Sequence, residues 1–570
     1  MKLFDKIAHV AKNQRILFWI FLAMAILPNF MMFFTESTST LTRIINILLP
    51  LGCYWLALTL NKKPGKMFWW LFIFMFIDAF QIVLLYLFGE SPIAVDMFLN
   101  VVTTNVTEAT ELLANLLPAV IFVVVIYVTG IVLSIFSLFN KEELPQSFRR
   151  AHKRIALGLI AVSLVLLGIN YGVDRKFRIQ NDIFPINGFY NLILSGVRTT
   201  QSIKYENASK GFTYKAQCTR TDSIPEVYVL VVGETARADN FGIYGYQRNT
   251  TPRLQAKADR IICYNDAITM SNTTHKSVPL ILTSVGCEED FNQVYQRKGI
   301  ISAYNEAGYA TAFYSNQRRN HSLIDYLGGE AQDVKFLKDN LPLTAQLSDE
   351  ELLKPLKEKL DKHKSGKLFI VLHCYGSHFN YKDRYDKGTG VFRPDNVTSA
   401  KKKFRNELLN AYDNTIYHTD ILLSSIIDLL NSKHMLTAMI YVSDHGEDIF
   451  DDERGRFLHA SPLPTYYQLR VPFIVWASQE WKETFPDLWQ QLTEHRNLPI
   501  STNRITFHTM LHMSGVTTPY CKEAEALSSD SFQVTPRLYV NDHNEYRTMD
   551  DAGLKDLDVE QFRQHHLRFP

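Results

Sequence analysis

Five apolar runs, each long enough to cross a bilayer, lie within the first 172 residues of the chain: Ile16–Phe34, Ile44–Leu60, Met67–Phe88, Leu116–Phe139 and Ile155–Tyr171. A hydrocarbon core takes about 20 helical residues to span. The second run is short, and its ends are less sharply marked than the others. The charges between the runs alternate. Lys2, Lys6, Lys12 and Arg15 precede the first, Lys62, Lys63 and Lys66 follow the second, and Lys141, Arg149, Arg150, Lys153 and Arg154 follow the fourth. Thr35–Thr42 and Gly89–Asn115 contain neither Lys nor Arg. Positive charge collects on the cytoplasmic side, so the amino terminus is expected inside. Five crossings then place everything after Tyr171 outside. The first run is too long for the apolar part of a cleaved signal and lacks a small-residue cleavage site; it reads as a retained anchor. Gly89–Asn115 is acidic and weakly amphipathic, and reads as either a short helix along the membrane surface or a plain loop.

The chain divides into a five-helix membrane domain, 1–172, a connector, 173–225, and an exported domain, 226–570. The whole has 46% hydrophobic residues and a net charge of +2. No Lys/Arg cluster with interleaved aromatics occurs, so nucleic acid is not an expected partner. Five of the six cysteines, Cys218, Cys263, Cys287, Cys374 and Cys521, fall in the exported part, where disulfides can form. Five is odd, so at least one is expected unpaired, and Cys374 is the choice.

In the exported domain, candidate strands Val227–Val232, Ala310–Tyr314, Leu368–His373, Ala438–Val442 and Val471–Trp476 alternate with helical stretches, notably Ala400–Ser432. That alternation predicts a mostly parallel α/β sheet covered by helices on both faces. Such sheets bind ligands beyond the carboxyl ends of their strands. Two ends carry metal-binding groups: Gly233-Glu234-Thr235 after the first strand, and Ser443-Asp444-His445-Gly446 after the fourth. Carboxylate oxygens and imidazole nitrogen suit Zn²⁺. A third end, His373-Cys374-Tyr375-Gly376-Ser377-His378, brings two histidines that can both reach one cleft from a loop. His459 follows the Asp-His pair closely enough to return to it.

A transfer reaction also needs a nucleophile. Ser271-Asn272-Thr273-Thr274-His275-Lys276-Ser277-Val278-Pro279 has the pattern of a loop opening a helix. A hydroxyl there serves as a helix cap, or as an alkoxide favoured by a metal and the positive helix end. Spacing alone leaves Thr273 and Thr274 both open.

With these motifs the chain resembles the phosphoethanolamine transferases of the bacterial envelope, members of the alkaline-phosphatase/sulfatase superfamily. The resemblance runs over nearly the whole chain, from the five spans to the exported domain. Its most specific parts are Gly233-Glu234-Thr235-Ala236-Arg237, Tyr246-Gln247-Arg248-Asn249-Thr250-Thr251-Pro252, Tyr412-Asp413-Asn414-Thr415-Ile416 with Thr419-Asp420, and Ser443-Asp444-His445-Gly446-Glu447. It implies Glu234, Asp444, His445 and Thr274 as ligands of one tightly held Zn²⁺, with Thr274 also the nucleophile. It places His378 and His459 at positions that contact the transferred group or a second zinc, His373 nearby, and Asn316 in a stretch that shapes the substrate pocket.

The activity implied is transfer of phosphoethanolamine from phosphatidylethanolamine to an envelope glycolipid, lipid A or core lipopolysaccharide, through a covalent threonine intermediate at the inner membrane. A membrane-tethered phosphodiesterase or glycerol-phosphate transferase of the same superfamily is the alternative, and a non-enzymatic membrane sensor a remote one. A sulfatase is disfavoured, since no Cys-x-Pro-x-Arg segment occurs. The chain departs from lipid A-modifying members, which often place a Cys pair around the nucleophile. Here those positions hold Ser271 and Leu280, and His275 and Lys276 beside Thr274 are also unlike the commonest pattern.

Overall fold

A computed structural model describes residues 12–35, 38–89, 92–103, 106–220, 224–342, 345–397 and 400–569, with the backbone alone for those of 100–115. The chain separates into two compact units, one of residues 1–98 and 112–196, the other of 99–111 and 197–570.

The first unit is helical. Helices α1 (Gln14–Thr35), α2 (Thr40–Thr59), the 116–139 part of α6 (Val106–Phe139) and α7 (Gln146–Val173) are each long and apolar enough to cross a membrane. The expected third span is not one straight helix. It breaks at Leu71 into α3 (Pro64–Trp70) and α4 (Phe72–Phe88), bent by 69°, so the described residues hold four such helices, or five if the bent pair is one span. Lys2 and Lys6 lie outside the described residues. The two basic loops that follow the second and fourth runs meet at one end of the unit. Lys62 pairs with Glu143 at 3.1 Å, Lys63 Nζ donates to the carbonyls of Leu138 and Asn140, and Leu144 N–H donates to Lys62 C=O. Polar side chains between apolar helices find partners across them. Asn29 of α1 donates to the Asn46 carbonyl of α2 at 2.7 Å, and Gln14 and Ser137 of α6 exchange two hydrogen bonds.

Of the acidic stretch 89–115, the backbone is helical over α5 (Val95–Thr103) and again from Val106, running without a break into the α6 span. Residues 90, 91, 104 and 105, and the side chains of 100–115, lie outside the description, so the surface-helix reading falls partly there. Within the expected connector, α8 (Ile186–Ile203) is the main element.

The second unit is built on a seven-stranded sheet. Its strands are β1 (Glu226–Gly233), β2 (Ile261–Cys263), β3 (Ala310–Ser315), β4 (Asp333–Phe336), β5 (Lys367–His373), β6 (Leu436–Ser443) and β7 (Phe473–Ala477), in the order β2-β7-β6-β1-β5-β3-β4. The run from β6 to β4 is parallel; β7 is antiparallel to both its neighbours. Central strands covered on both faces must be apolar on both, and β1 is. Tyr228, Leu230 and Val232 enter one core, with Val278 and Leu280 of α9 (Thr274–Leu282) and Phe507 and Met510 of α12 (Thr502–Met513). Val227, Val229 and Val231 enter the other, with Leu356 and Leu360 of α10 (Leu353–Lys362) and Tyr412, Ile416 and Ile426 of α11 (Arg405–Asn431). The five expected strands are all present within two residues at each end. All six cysteines are thiols; Cys374 is buried.

Candidate metal centre and active site

β1 and β6 are parallel neighbours in register, Gly233 opposite Ser443. The residues that follow, Glu234 and Asp444-His445, therefore leave the sheet side by side at its carboxyl end. The chain there is fixed by its own hydrogen bonds. Asp444 Oδ1 accepts from the backbone N–H of Thr235 at 3.0 Å and of His445 at 2.7 Å, and Ser443 Oγ accepts from Ala236 N–H at 2.9 Å. Thr235 takes a left-handed backbone, φ 61°. That turn is clamped from α11 by the Tyr412 hydroxyl, which accepts from Arg237 N–H at 2.9 Å and donates to Thr235 C=O at 2.8 Å.

α9 brings the third group. Thr273 is its N-cap residue, but its side chain makes no capping hydrogen bond. The Thr274 hydroxyl instead donates to Glu234 Oε1 at 3.0 Å and lies 3.1 Å from His445 Nε2. His445 Nε2 is in turn 3.3 Å from Asp444 Oδ2 and 3.5 Å from Glu234 Oε1. His445 Nδ1 bonds the Gly446 carbonyl at 2.9 Å, which leaves the Nε2 lone pair for a metal. Glu234, Asp444 and His445 are buried.

This set fits a Zn²⁺ ion by its donor chemistry. Asp444 Oδ2 is buried with no hydrogen-bond partner, an uncommon and costly state unless a cation meets it. Burial raises both carboxyls; for Glu234 the neighbouring Asp444 charge adds to it. A cation between them removes the cause. Ligand atoms of Glu234, His445 and His459 also lie within 4.8 Å of one another, so His459 does return to the cleft. Its ring stands 4.3 Å from that of His445 and 5.6 Å from that of His378. Burial, then His445 and His275, lower the basicity of His459.

Two glycines let the loops approach. A Cβ at Gly376, whose φ is 53°, would stand 2.3 Å from the Glu234 carbonyl oxygen, and one at Gly446 would stand 2.1 Å from that of Tyr467. The turn between His373 and His378 thus rests on the Glu234 backbone, and Ser377 N–H donates to Glu234 C=O at 2.9 Å.

His373 and Asn316 are not brought into this cluster. His373 ends β5 as a buried residue with Nδ1 3.0 Å from Ser315 Oγ and Nε2 3.4 Å from Gln317 Nε2, and burial lowers its pKa to about 4. Asn316 is buried and donates to Leu347 C=O and to Asp349 Oδ1, which also accepts from Tyr375 N–H. Both support the loop that carries His378. Two residues were not singled out from sequence. Asp349 has no motif around it. Glu447 closes the Ser443–Glu447 motif. Its buried carboxylate accepts from His459 Nδ1 at 2.8 Å and from the Tyr381 hydroxyl, and orients the His459 ring.

Residues 226–516, more than half of the chain, match the sulfatase family. The Kdo(2)-lipid A phosphoethanolamine 7''-transferase of Escherichia coli K12 is 26% identical over 329 residues, 55% of this chain and 55% of that protein. The phosphoethanolamine transferase EptA of Helicobacter pylori is 33% identical over 293 residues, 50% of this chain and 52% of that protein. The chain thus spans about half the length of the curated relatives it matches. Among solved structures, the periplasmic domain of Escherichia coli EptC in complex with Zn superposes with a TM-score of 0.52 at 25% identity, over 59% of this chain and 96% of that one. The integral membrane protein EptA of Neisseria meningitidis superposes with a TM-score of 0.69 at 20% identity, over 90% of this chain and 97% of that one, a likeness of fold that includes the helical region. The chain belongs to the sulfatase family, and relatives it matches there are named phosphoethanolamine transferases.

Proposed function

We propose that this protein is a membrane-bound, zinc-dependent transferase. In this reading it moves phosphoethanolamine from phosphatidylethanolamine to an envelope glycolipid, at the outer face of the inner membrane with its amino terminus inside. The observation that carries the reading is the Thr274 hydroxyl at the amino end of α9, 3.0 Å from Glu234 Oε1 and 3.1 Å from His445 Nε2.

Glu234, Asp444, His445 and the Thr274 hydroxyl would hold one Zn²⁺, and His459 and His378 would be the residues to hold a second or to contact the transferred group. A bound zinc supplies positive charge that lowers the pKa of a hydroxyl and neutralises phosphate oxygens. The chain's own residues do the rest. The first turn of α9 presents its positive dipole end to the Thr274 oxygen and to an incoming phosphate. Glu234 Oε1 accepts the Thr274 proton as Oγ1 attacks phosphorus. The Thr274 O–P bond forms while the bond from phosphorus to the diacylglycerol oxygen breaks, and His378 delivers a proton to that oxygen; His459, whose basicity burial lowers and whose Nδ1 is held by Glu447, instead meets metal or phosphate through Nε2. Attack by an acceptor oxygen, whose proton passes to the histidine that protonated diacylglycerol, then breaks the Thr274 O–P bond, and Glu234 returns its proton to the Thr274 oxygen, which restores the enzyme. The names of the relatives, one with Kdo(2)-lipid A as acceptor, support a glycolipid acceptor. The absence of a Cys pair around Thr274 leaves lipid A and core sugars both open.

Thr274→Ala is expected to abolish glycolipid modification and the trapped adduct, while zinc stays bound through the other three ligands. Mass spectrometry of the wild-type adduct should show phosphoethanolamine on Thr274. A glycerol-phosphate mass would favour the alternative transferase, and undiminished transfer by T274A would remove Thr274 from the mechanism.

A further inference from the structure

Asp78 is the only Asp, Glu, Lys, Arg or His within the five apolar runs. It is the seventh residue of α4 (Phe72–Phe88). At about 1.5 Å per residue this puts it about 15 Å from the Phe88 end, mid-depth in a core of about 30 Å. It is fully buried, and neither carboxylate oxygen has a hydrogen-bond partner. The Tyr54 hydroxyl of α2 and the Tyr127 hydroxyl of α6 are buried and unpartnered too. Each interacts electrostatically with Asp78, and Tyr54 also with Tyr127. Met75 and Ile82, one helical turn either side of Asp78, pack in one core with Tyr54, Tyr127 and Val123, so three buried polar side chains from three helices gather at this core without bonding one another.

An isolated carboxylate in such a place is not sustained: it must meet a positive charge or carry a proton. Among the described residues, the elements around α4 offer no positive charge at that depth. α1 has only Arg15, at its end; α2 has Arg43 at its start, then Cys53 and Tyr54; α3 has Lys66 near its start; α5, which packs on α4 through Phe98 and Phe80, has only the acidic Asp96; the spanning part of α6 has only Tyr127; and the part of α8 in this unit has only Tyr190. Buried polar groups left without direct partners are the setting in which a bound water makes two to four hydrogen bonds.

We propose that Asp78, Tyr54 and Tyr127 form a proton-binding site within the membrane unit, a neutral carboxyl joined through water to two phenols. The site is independent of the zinc centre, and its test does not depend on the transferase reading. The full chain in lipid nanodiscs should show, by infrared difference spectroscopy at neutral pH, the carbonyl stretch of a protonated carboxylic acid that Asp78→Asn removes. Tyr54→Phe and Tyr127→Phe should each displace that band, since each deletes one hydrogen-bonding end of the network. Should D78N not fold, Asp78→Glu moves the same band and gives the assignment. Ionised-carboxylate bands for Asp78, with or without sodium in the buffer, would overturn the proposal. So would an acid band that neither tyrosine substitution moves.

Discussion

Glu447 shows how one side chain sets another's chemistry. His459 has two nitrogens, and only one can face the cluster of Glu234 and His445. The Glu447 carboxylate bonds Nδ1 at 2.8 Å and so fixes Nε2 as the nitrogen available to metal or phosphate. Partners of this kind typically alter metal affinity or activity by about 10–100-fold when removed. Glu447→Gln is therefore expected to lower turnover by about that factor with the fold unchanged. The check is steady-state transfer beside the near-ultraviolet dichroism of both proteins; equal kcat would show that Glu447 only packs. The strand-end residues Glu234, Asp444 and His445 were legible because each follows an apolar run that can only be a buried strand. Glu447 lies inside the same quoted motif, yet its role depends on a loop that folds His459 back, which local pattern does not encode. Asp349 was illegible for the same reason: its partners, the backbone N–H groups of Tyr375 and Gly376 and the side-chain amide of Asn316, are all remote in sequence.

At the scale of elements, the sheet was readable where strands are long and apolar on both faces. β1, β5 and β6 fall almost where their β-branched runs fall. β2 and β4 were missed because they are three and four residues long, and Asp333-Val334-Lys335-Phe336 has no continuous apolar run. The break at Leu71 was missed for the opposite reason. Everything from Met67 to Ile77 is apolar, so hydropathy continues through a bend that backbone geometry introduces. The α11 helix also has a duty that its periodicity does not reveal. Tyr412 reaches across to clamp the turn carrying Glu234 through two backbone bonds. Tyr412→Phe leaves a buried N–H and C=O unsatisfied, a loss of about 1–3 kcal/mol. Denaturant unfolding should report that decrease. Zinc affinity should fall as well, because the Glu234 turn loses its tether; a stable variant with normal zinc affinity would show that β1 positions the turn alone.

For the whole molecule, the basic loops gather at one end of the helical unit, as the salt bridge between Lys62 and Glu143 shows. In the proposed orientation this end is the cytoplasmic face. In the proposed function, a tethered site would meet lipid donors and glycolipid acceptors by diffusion in two dimensions, which would give the membrane spans a role in the transfer. The zinc centre should also link stability to pH. In the metal-free fold, burial raises the Glu234 and Asp444 carboxyls above their unfolded values. The folded state then holds protons that the unfolded chain gives up. Stability is greatest below the ordinary carboxylate range and falls as pH rises through the raised folded values. Chelator-stripped protein should accordingly lose thermal stability between about pH 5 and pH 8. Asp444→Asn should flatten that slope, since Glu234 then has no charged neighbour of like sign at its side. Zinc should reverse its direction, because the metal binds the deprotonated carboxylates and competes with protons for them. The measurement is the unfolding midpoint against pH for stripped, zinc-loaded and D444N protein. A stripped protein whose midpoint climbs over this range would mean that the two carboxylates are already compensated by groups other than a metal.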